Sequence, residues 1–309
     1  MQYELGTLVE FQGIAAGVEN TNYFVTTQAG PIDDPRLKRF VLTLFETTPA
    51  VSLDAYFDLM ANLTEHNLPS ARPYKTLGGS YLCELKTKPA VLIEKLPGHS
   101  VNKPNVAHCL EVGKFLADMH ILSCRNSSRL ENFRGANWRE SVIEKLGTKC
   151  NIEEASFLKY SHERVCKFEN SALPMGTIHG DLFHDNALFS GGALSGVIDF
   201  YYAHDAPYIY DLAVAFADWC FVQNDGEIHY ENAVSMLRGY AAVRPISELE
   251  REQWTMAIEL ASLRFLLSRL HDKHFPRQGS LTQEKNPQVF RDLLVLCRKT
   301  PERFLDLFQ

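Results

Sequence analysis

The sequence predicts an α+β protein in which a small sheet-rich lobe precedes a larger helical lobe. In the first part of the chain, short segments rich in Val, Phe, Tyr and Thr are bounded by Gly, Pro or Asp, the pattern of strands. From Pro104 onward, apolar residues recur at helical spacing instead. We therefore expect a boundary near Leu96–Gly98, with one domain at residues 1–97 and another at residues 98–309.

The first lobe is predicted to contain four strands and one helix. The helix, Leu53–His66, carries Phe57, Met60 and Leu63 on one face. The strands are predicted at Leu8–Phe11, Tyr23–Thr27, Phe40–Phe45 and Ala90–Leu96.

The second lobe is predicted to be helical apart from one hairpin. Its first helix follows Pro104 and places Gly113, Leu116 and His120 on one face. Further helices are predicted at Asp211–Val222, Ala233–Tyr240 and Ser247–His271, and the hairpin strands at Asn186–Phe189 and Ser195–Phe200. The intervening Ser-Gly-Gly is a strong turn signal, and polar residues crowd both ends of the hairpin, so we expect the chemistry there.

The composition is that of a globular protein with a substantial core. Of 309 residues, 45% are hydrophobic and 22% charged, which excludes disordered and collagen-like chains. The net charge of −7 argues against nucleic-acid and membrane partners. We expect a cytoplasmic protein, because no signal-peptide pattern precedes the first strand and the seven cysteines form no CxxC pair.

A cluster of polar residues immediately before the hairpin suits phosphoryl transfer. The segment His179–Asn186 contains Asp181, a carboxylate that can accept a proton from a substrate hydroxyl. Asn186, together with Asp199 at the far end of the hairpin, offers the hard oxygen ligands that Mg²⁺ prefers. The same segment also suits a transition metal, since His179, Asp181, His184 and Asp185 are zinc-ligand types. A zinc hydrolase is therefore an alternative.

The spacing HxDxxxxN followed by Ile-Asp-Phe resembles the aminoglycoside phosphotransferase and choline kinase superfamily, which has a protein-kinase-like fold. Other blocks are similar to the type II homoserine kinases within it: Phe11–Phe24, Phe40–Glu46, Leu194–Tyr201, Tyr210–Ala213, Asp218–Cys220, Leu263–Phe265 and Ser268–Leu270. The resemblance implies an antiparallel sheet in the first lobe. It also implies ATP- and Mg²⁺-dependent phosphorylation of L-homoserine to O-phospho-L-homoserine, a step toward threonine.

The resemblance also implies roles for residues outside the catalytic segment. His179 and Asp211 would brace the loop, although Asp211 could instead cap its helix. Contacts to ATP would come from Gly13, Gly17 and Asn20 in a phosphate-binding turn, and from Glu94 and Leu96 at the hinge between lobes. Most kinase-like folds carry a phosphate-binding lysine on the third strand, where this chain has Thr43, so the phosphate clamp stays unassigned.

Homoserine is a zwitterion, so its pocket requires a cation for the carboxylate and an anion or carbonyls for the ammonium. Arg264 and Arg269 lie on one apolar helix, about 140° apart around its axis, and we favour Arg264 as the carboxylate ligand. Asp218 and Trp219 would present a carboxylate and an aromatic surface to the ammonium, unless they are ordinary helix residues.

Two further functions stay open beside the zinc hydrolase. One keeps the chemistry and changes the acceptor to choline, an aminoglycoside or a methylthioribose-like sugar. The other is a non-catalytic kinase-like binding module, against which the intact set Asp181, Asn186 and Asp199 argues. A small-molecule substrate is expected, and nothing in the sequence implies an obligatory protein partner.

Overall fold

The computed structural model describes residues 2–14, 20–29, 36–46, 53–123, 130–169, 172–222, 226–276 and 285–309. The chain forms two compact units, Met1–Gly98 with Ser195–Tyr201, and His99–Leu194 with Tyr202–Gln309. Among the described residues, no helix combines the length and apolar character needed to cross a bilayer.

The first unit is built on an antiparallel sheet and one described helix. The strands are β1 (Thr7–Ile14), β2 (Asn20–Ala29), β3 (Arg36–Phe45), β4 (Pro73–Tyr74), β5 (Cys83–Leu85) and β6 (Lys88–Glu94), with helix α1 (Asp54–Glu65) between β3 and β4. The order is β1-β2-β3-β6-β4, and β5 also pairs with β6. Strands β2 and β3 run longer than predicted, because their pairing continues from Asn20 opposite Phe45 to Ala29 opposite Arg36.

The core of the first unit includes the buried face of α1, which packs against the sheet. The predicted apolar face of this helix is confirmed, since Phe57, Met60 and Leu63 are all buried. The Phe57 ring lies 6.2 Å from that of Phe45, the last residue of β3. Burial of this face, rather than helix propensity, stabilises a helix of this length.

Residues 195–201 join the first unit although they follow the hairpin turn in sequence. The Val197 N–H donates to the Pro69 carbonyl at 2.7 Å, and the Ser195 hydroxyl donates to the Pro97 carbonyl at 2.7 Å. The Tyr201 ring meets Phe45 edge-on at 5.0 Å. A single cut at residue 97 therefore does not describe the division, since the first unit contains two separate stretches of chain.

The second unit is mainly helical. Its helices are α2 (Val106–Ser123), α3 (Ala136–Leu146), α4 (Ile152–Glu169), α5 (Tyr208–Trp219), α6 (Tyr230–Val243), α7 (Glu248–Glu252), α8 (Trp254–His274), α9 (Gln288–Lys299) and α10 (Glu302–Leu305). Strand β7 (Met175–Ile178) pairs antiparallel with β10 (His204–Pro207), and β8 (Ala187–Ser190) forms the predicted hairpin with β9 (Ala193–Val197).

Helices α2 and α6 approach each other at backbone distance. A Cβ atom added at Gly113 of α2 would lie 2.1 Å from the Met236 carbonyl oxygen, and one at Gly239 of α6 2.3 Å from that of Leu110. Only glycine fits at such a crossing. This close contact fixes the position of α2, the helix that carries the buried His120.

Two predicted elements end differently in the structure. The continuous helix expected over Ser247–His271 is broken at Gln253, whose backbone (φ −91°, ψ 3°) leaves helical geometry between α7 and α8. The second hairpin strand stops at Val197 instead of reaching Phe200. Asp199 has a left-handed backbone with φ 66°, which cannot continue a strand.

Candidate active site

The segment predicted to carry chemistry lies in the second unit, as a loop that leaves β7 after Ile178. Gly180 turns the chain with φ 73°, and a Cβ atom there would lie 2.8 Å from the Tyr202 carbonyl oxygen. The loop then closes with a short 3-10 turn, His184–Asn186, before β8 begins. We call residues 179–186 the catalytic loop.

Asp211 holds the start of the catalytic loop by its backbone. One carboxylate oxygen accepts from the His179 N–H and the other from the Gly180 N–H, both at 2.8 Å. The Asp211 side chain does not cap α5, whose first turn contains it. Burial by itself would raise the pKa of this carboxyl, but the hydrogen bond with His120 and the loop N–H groups hold the pKa below its ordinary value. Asp211 is therefore a buried anion that braces the loop.

A buried polar chain continues from Asp211 through residues that the sequence analysis did not assign to the site. The His120 Nε2 lies 3.0 Å from the Asp211 carboxylate and its Nδ1 lies 2.7 Å from the Tyr240 hydroxyl. Arg244 donates to both the Tyr240 hydroxyl, at 3.2 Å, and the Glu250 carboxylate, at 2.8 Å. The only available sequence signal was a histidine on the apolar face of a predicted helix. We call these five residues, Asp211, His120, Tyr240, Arg244 and Glu250, the polar chain.

Asp181 lies in the middle of the catalytic loop with an ion pair to α8. Its Oδ1 is 3.0 Å from Arg264 Nη1, and its own N–H donates to His179 Nδ1 at 3.2 Å. The Asn186 side-chain amide donates to the Asp181 carbonyl at 2.9 Å, which closes the loop on itself. Burial raises the pKa of Asp181 to about 6, and the Arg264 charge limits that rise. A largely buried carboxylate with such a pKa suits proton acceptance near neutral pH.

The structure gives Arg264 a partner within the protein, whereas the sequence analysis favours it as the ligand of a substrate carboxylate. Its side chain is only 6% exposed and its guanidinium already has a carboxylate partner, Asp181. The same group packs against the rings of Phe265 at 3.8 Å and Tyr202 at 4.9 Å. Arg264 therefore neutralises and holds Asp181.

Asp218 and Trp219 also differ from their predicted role. Asp218 Oδ2 accepts from the His184 N–H at 2.7 Å and lies 2.8 Å from His184 Nδ1. The Trp219 indole N–H donates to the Leu182 carbonyl at 3.0 Å. Both side chains are buried, so they hold the outer half of the catalytic loop and do not present an open surface to an ammonium group.

Asp185, near the end of the catalytic loop, contacts a residue that lies just before α9. Asp185 Oδ2 is 3.4 Å from Lys285 Nζ, and both side chains are exposed. Next to Lys285 in sequence, the carbonyl of Asn286 accepts from Arg269 Nη1 at 2.6 Å. Asp185 thus differs from Asp181 in both exposure and partner.

The two predicted metal ligands fall in different units. Asn186 ends the 3-10 turn in the second unit, and Asp199 follows β9 in the first. Their amide and carboxylate oxygens are hard donors of the kind that suits Mg²⁺. In the parts of the chain that are described, no three or more His, Cys, Asp or Glu side chains are grouped to hold a metal ion. The alternative zinc set is not assembled, since His184 pairs with Asp218 and the His179 Nδ1 accepts from the Asp181 N–H.

The residues predicted to contact nucleotide lie in the first unit. Gly13 is near the end of β1 opposite Tyr23, Asn20 begins β2, and Gly17 lies outside the described residues. At the end of β6, the N–H of Glu94 donates to the Arg72 carbonyl at 2.8 Å, and the Leu96 side chain packs against Gly196.

Thr43 lies at the position on β3 where most kinase-like folds have a phosphate-binding lysine, and it makes a polar contact there. Thr43 is buried, and its hydroxyl donates to Asn22 Oδ1 on β2 at 2.8 Å. A neutral cross-strand hydrogen bond therefore occupies the place where other kinase-like folds keep a cation.

Comparison with known proteins gives close relatives over nearly the whole chain. Residues 10–246 match the model of the phosphotransferase enzyme family, APH. The homoserine kinase of Methylobacillus flagellatus is 41% identical over 94% of this chain and 89% of its own length. That of Methylobacillus glycogenes is 39% identical over 99% of this chain and 93% of its own length.

Solved structures share the fold at lower identity. Amicoumacin kinase hAmiN, in complex with AMP-PNP, Ca²⁺ and Ami, aligns with a TM-score of 0.70 and 17% identity, over 98% of this chain and 90% of that chain. A microcompartment-associated aminopropanol kinase aligns with a TM-score of 0.70 and 16% identity, over 98% and 95%. The predicted protein-kinase-like α+β fold is confirmed.

Proposed function

Because the chain belongs to the phosphotransferase enzyme family, we propose that it is a homoserine kinase, which transfers the γ-phosphoryl group of ATP to the hydroxyl of L-homoserine. The choice of substrate is supported by the near full-length identity to homoserine kinases. The chemistry is supported by one feature of the structure, the largely buried Asp181 held by Arg264 within the catalytic loop. The products are ADP and O-phospho-L-homoserine, an intermediate of threonine biosynthesis, and we expect the enzyme to act in the cytoplasm.

Asp181 is the proton acceptor in this proposal. As the substrate oxygen attacks the γ-phosphorus, its proton passes to the Asp181 carboxylate and the bond from phosphorus to the bridging oxygen of ADP breaks. Arg264 fixes Oδ1 at 3.0 Å, and Asp211 fixes the backbone two residues earlier in the loop. The carboxylate is thereby oriented before the substrate binds, which lowers the cost of reaching the reactive geometry.

ATP and Mg²⁺ are the cofactors that this function requires. We assign the metal to Asn186 and Asp199, because an amide oxygen and a carboxylate oxygen suit a hard cation that keeps several waters. The ion offsets the negative charge of the phosphate oxygens when it is bound. For the nucleotide we keep the assignment of Gly13, Gly17, Asn20, Glu94 and Leu96, with the backbone of the turn after β1 as the phosphate-binding element.

The test is a coupled assay of ADP formation with Mg-ATP and one acceptor at a time. L-homoserine, choline, methylthioribose and kanamycin are compared at equal concentration. We expect turnover of homoserine to exceed that of the other three by orders of magnitude. Turnover of another alcohol with none of homoserine would refute the substrate and leave the fold intact.

The same preparation separates the kinase from a zinc hydrolase. We expect activity to require added Mg²⁺ and to be independent of zinc. Stoichiometric zinc in the purified protein, lost together with activity on chelation and restored by zinc alone, would favour the hydrolase.

A further inference from the structure

Phosphorylation of homoserine requires a cation for the substrate carboxylate, and no residue described so far fills that role. Arg264, the residue that sequence reasoning favours, is paired with Asp181 and nearly excluded from solvent. Lys285 is exposed and pairs with Asp185 at 3.4 Å. Arg269, the other arginine of α8, is the remaining candidate.

Among the described residues, the Arg269 guanidinium is held by a carbonyl and an aromatic ring. Its Nη1 donates to the Asn286 carbonyl at 2.6 Å, and its plane lies over the Phe290 ring at 4.4 Å. No carboxylate of the described residues lies within ion-pair distance of it. A planar cation fixed by one carbonyl and one ring keeps its remaining N–H groups available for a bidentate contact to a carboxylate.

Arg269 also interacts electrostatically with carboxylates in and beside the catalytic loop. Burial lowers the pKa of Arg269 to about 10, and the carboxylates of Asp218, Asp185 and Asp181 act in the opposite direction. The guanidinium therefore stays charged near neutral pH, and it lies close enough to the loop to be influenced by three of the carboxylates in and beside it.

We propose that Arg269 is the carboxylate-binding residue of the homoserine site, and that Arg264 instead positions the catalytic Asp181. The inference rests on the proposed function. Arg269 lies about 140° around α8 from Arg264, but it reaches the catalytic loop through Phe290, whose ring lies under its guanidinium at 4.4 Å and stacks on the ring of Phe183 in the loop, with the ring centroids 6.2 Å apart. One helix, α8, thus supplies both the cation beside the base and the cation at the far end of the substrate.

The experiment compares homoserine with 3-aminopropan-1-ol, which is homoserine without its carboxylate. For each variant we measure kcat and KM for homoserine and the inhibition constant of 3-aminopropan-1-ol against homoserine. In Arg269→Gln, we expect KM for homoserine to rise by about 10²-fold, since a charge-assisted pair to the substrate is lost. The inhibition constant of 3-aminopropan-1-ol should stay within about threefold of wild type, because that ligand never made the contact.

Two other arginines serve as controls. Arg264→Gln should lower kcat and leave the ratio of the homoserine KM to the aminopropanol inhibition constant near its wild-type value. Arg251→Gln, at an exposed site on α7, should change neither constant. Arg269→Lys, which keeps the charge but not the planar fork, should recover part of the lost affinity for homoserine and guards against misfolding of the glutamine variant.

The outcomes separate this inference from the proposed function. If wild-type protein does not phosphorylate homoserine, the proposed function fails. If it does, and Arg269→Gln weakens both ligands equally or neither, the carboxylate assignment is overturned. A selective loss of homoserine binding in Arg264→Gln would move the carboxylate site to Arg264.

Discussion

Replacing Asp181 with Asn tests whether one carboxylate both accepts the proton and balances a buried cation. The amide has nearly the same shape, so the change removes one proton acceptor and one negative charge. The charge matters for folding because Arg264 lies 3.0 Å away with only 6% of its side chain exposed. We nevertheless expect Asp181→Asn to lose activity but little stability, because burial raises the pKa of Asp181 and thereby favours its neutral form in the folded protein.

The two losses have different expected sizes. A positioned general base contributes about 10²–10⁴-fold to turnover, so kcat should fall by that factor. Breaking a buried ion pair by removing one partner costs about 3–5 kcal/mol. Two features offset this cost: Asn can still accept a hydrogen bond from Arg264, and the raised pKa of Asp181 means that folding disfavours the charged carboxylate. We therefore expect the free energy of unfolding to change by less than about 1 kcal/mol.

Asp185→Asn is the matched control within the same loop. Its partner Lys285 lies at 3.4 Å with 60% of its side chain exposed, and Asp185 is 48% exposed. Exposed pairs contribute about 0–1 kcal/mol, so stability should hardly change, and kcat should stay near wild type because no proton transfer is assigned there.

The assay is steady-state ADP formation with saturating ATP and homoserine, together with urea unfolding of both variants. Equal losses of kcat at the two positions would refute the assignment of a specific base. A free energy of unfolding lower by about 3 kcal/mol or more in Asp181→Asn would show that Arg264 needs this charge and would contradict the prediction.

Three further predictions concern the metal, the acid range and the helix crossing. Asn186→Ala and Asp199→Ala should each raise the Mg²⁺ concentration needed for half-maximal turnover, and thermal melts check that both variants are folded at the assay temperature, since Asn186 also closes the loop and Asp199 has a left-handed backbone; a normal Mg²⁺ requirement in either would contradict its assignment as a ligand. Burial lowers the pKa of His120, so the unfolded chain binds a proton more readily than the folded one, and the free energy of unfolding should decrease as the pH falls below about 6.5. His120→Gln should reduce this pH dependence by up to about 1.4 kcal/mol per pH unit, as measured by urea titrations. Gly113→Ala should destabilise the protein by more than about 2 kcal/mol, because the new Cβ would lie 2.1 Å from the Met236 carbonyl oxygen, and an unchanged melting temperature would contradict that close approach.

Local patterns in the sequence were sufficient for elements whose contacts are also local. The face of α1 that contains Phe57 and Met60 is buried as its spacing predicts. The Ser-Gly-Gly turn produces the β8–β9 hairpin because glycine at 191 and 192 accepts positive φ, 60° and 86°. Such signals depend on neighbours a few residues away, and these are visible in the sequence.

Contacts between distant segments were not predictable in the same way. Asp218 binds the His184 backbone from 34 residues away, and Arg264 reaches Asp181 across 83 residues. Nothing in the spacing of either residue distinguishes a partner within the protein from a partner in the substrate. The assignment of residues 195–201 to the first unit depends equally on distant hydrogen bonds, such as that from Val197 to Pro69.

The polar chain from Glu250 to Asp211 has a consequence for how the second unit opens. Asp211 accepts hydrogen bonds from the N–H groups of His179 and Gly180 at 2.8 Å, and Asp211 is itself bound by His120 of the polar chain. These two N–H groups are therefore released only when the buried hydrogen bonds of the polar chain also break. These two amides should therefore exchange with solvent deuterium as slowly as the amides at the centre of α2 and α6, although they lie in a loop. The rigidity of the catalytic loop is in this sense a property of the helical unit as a whole.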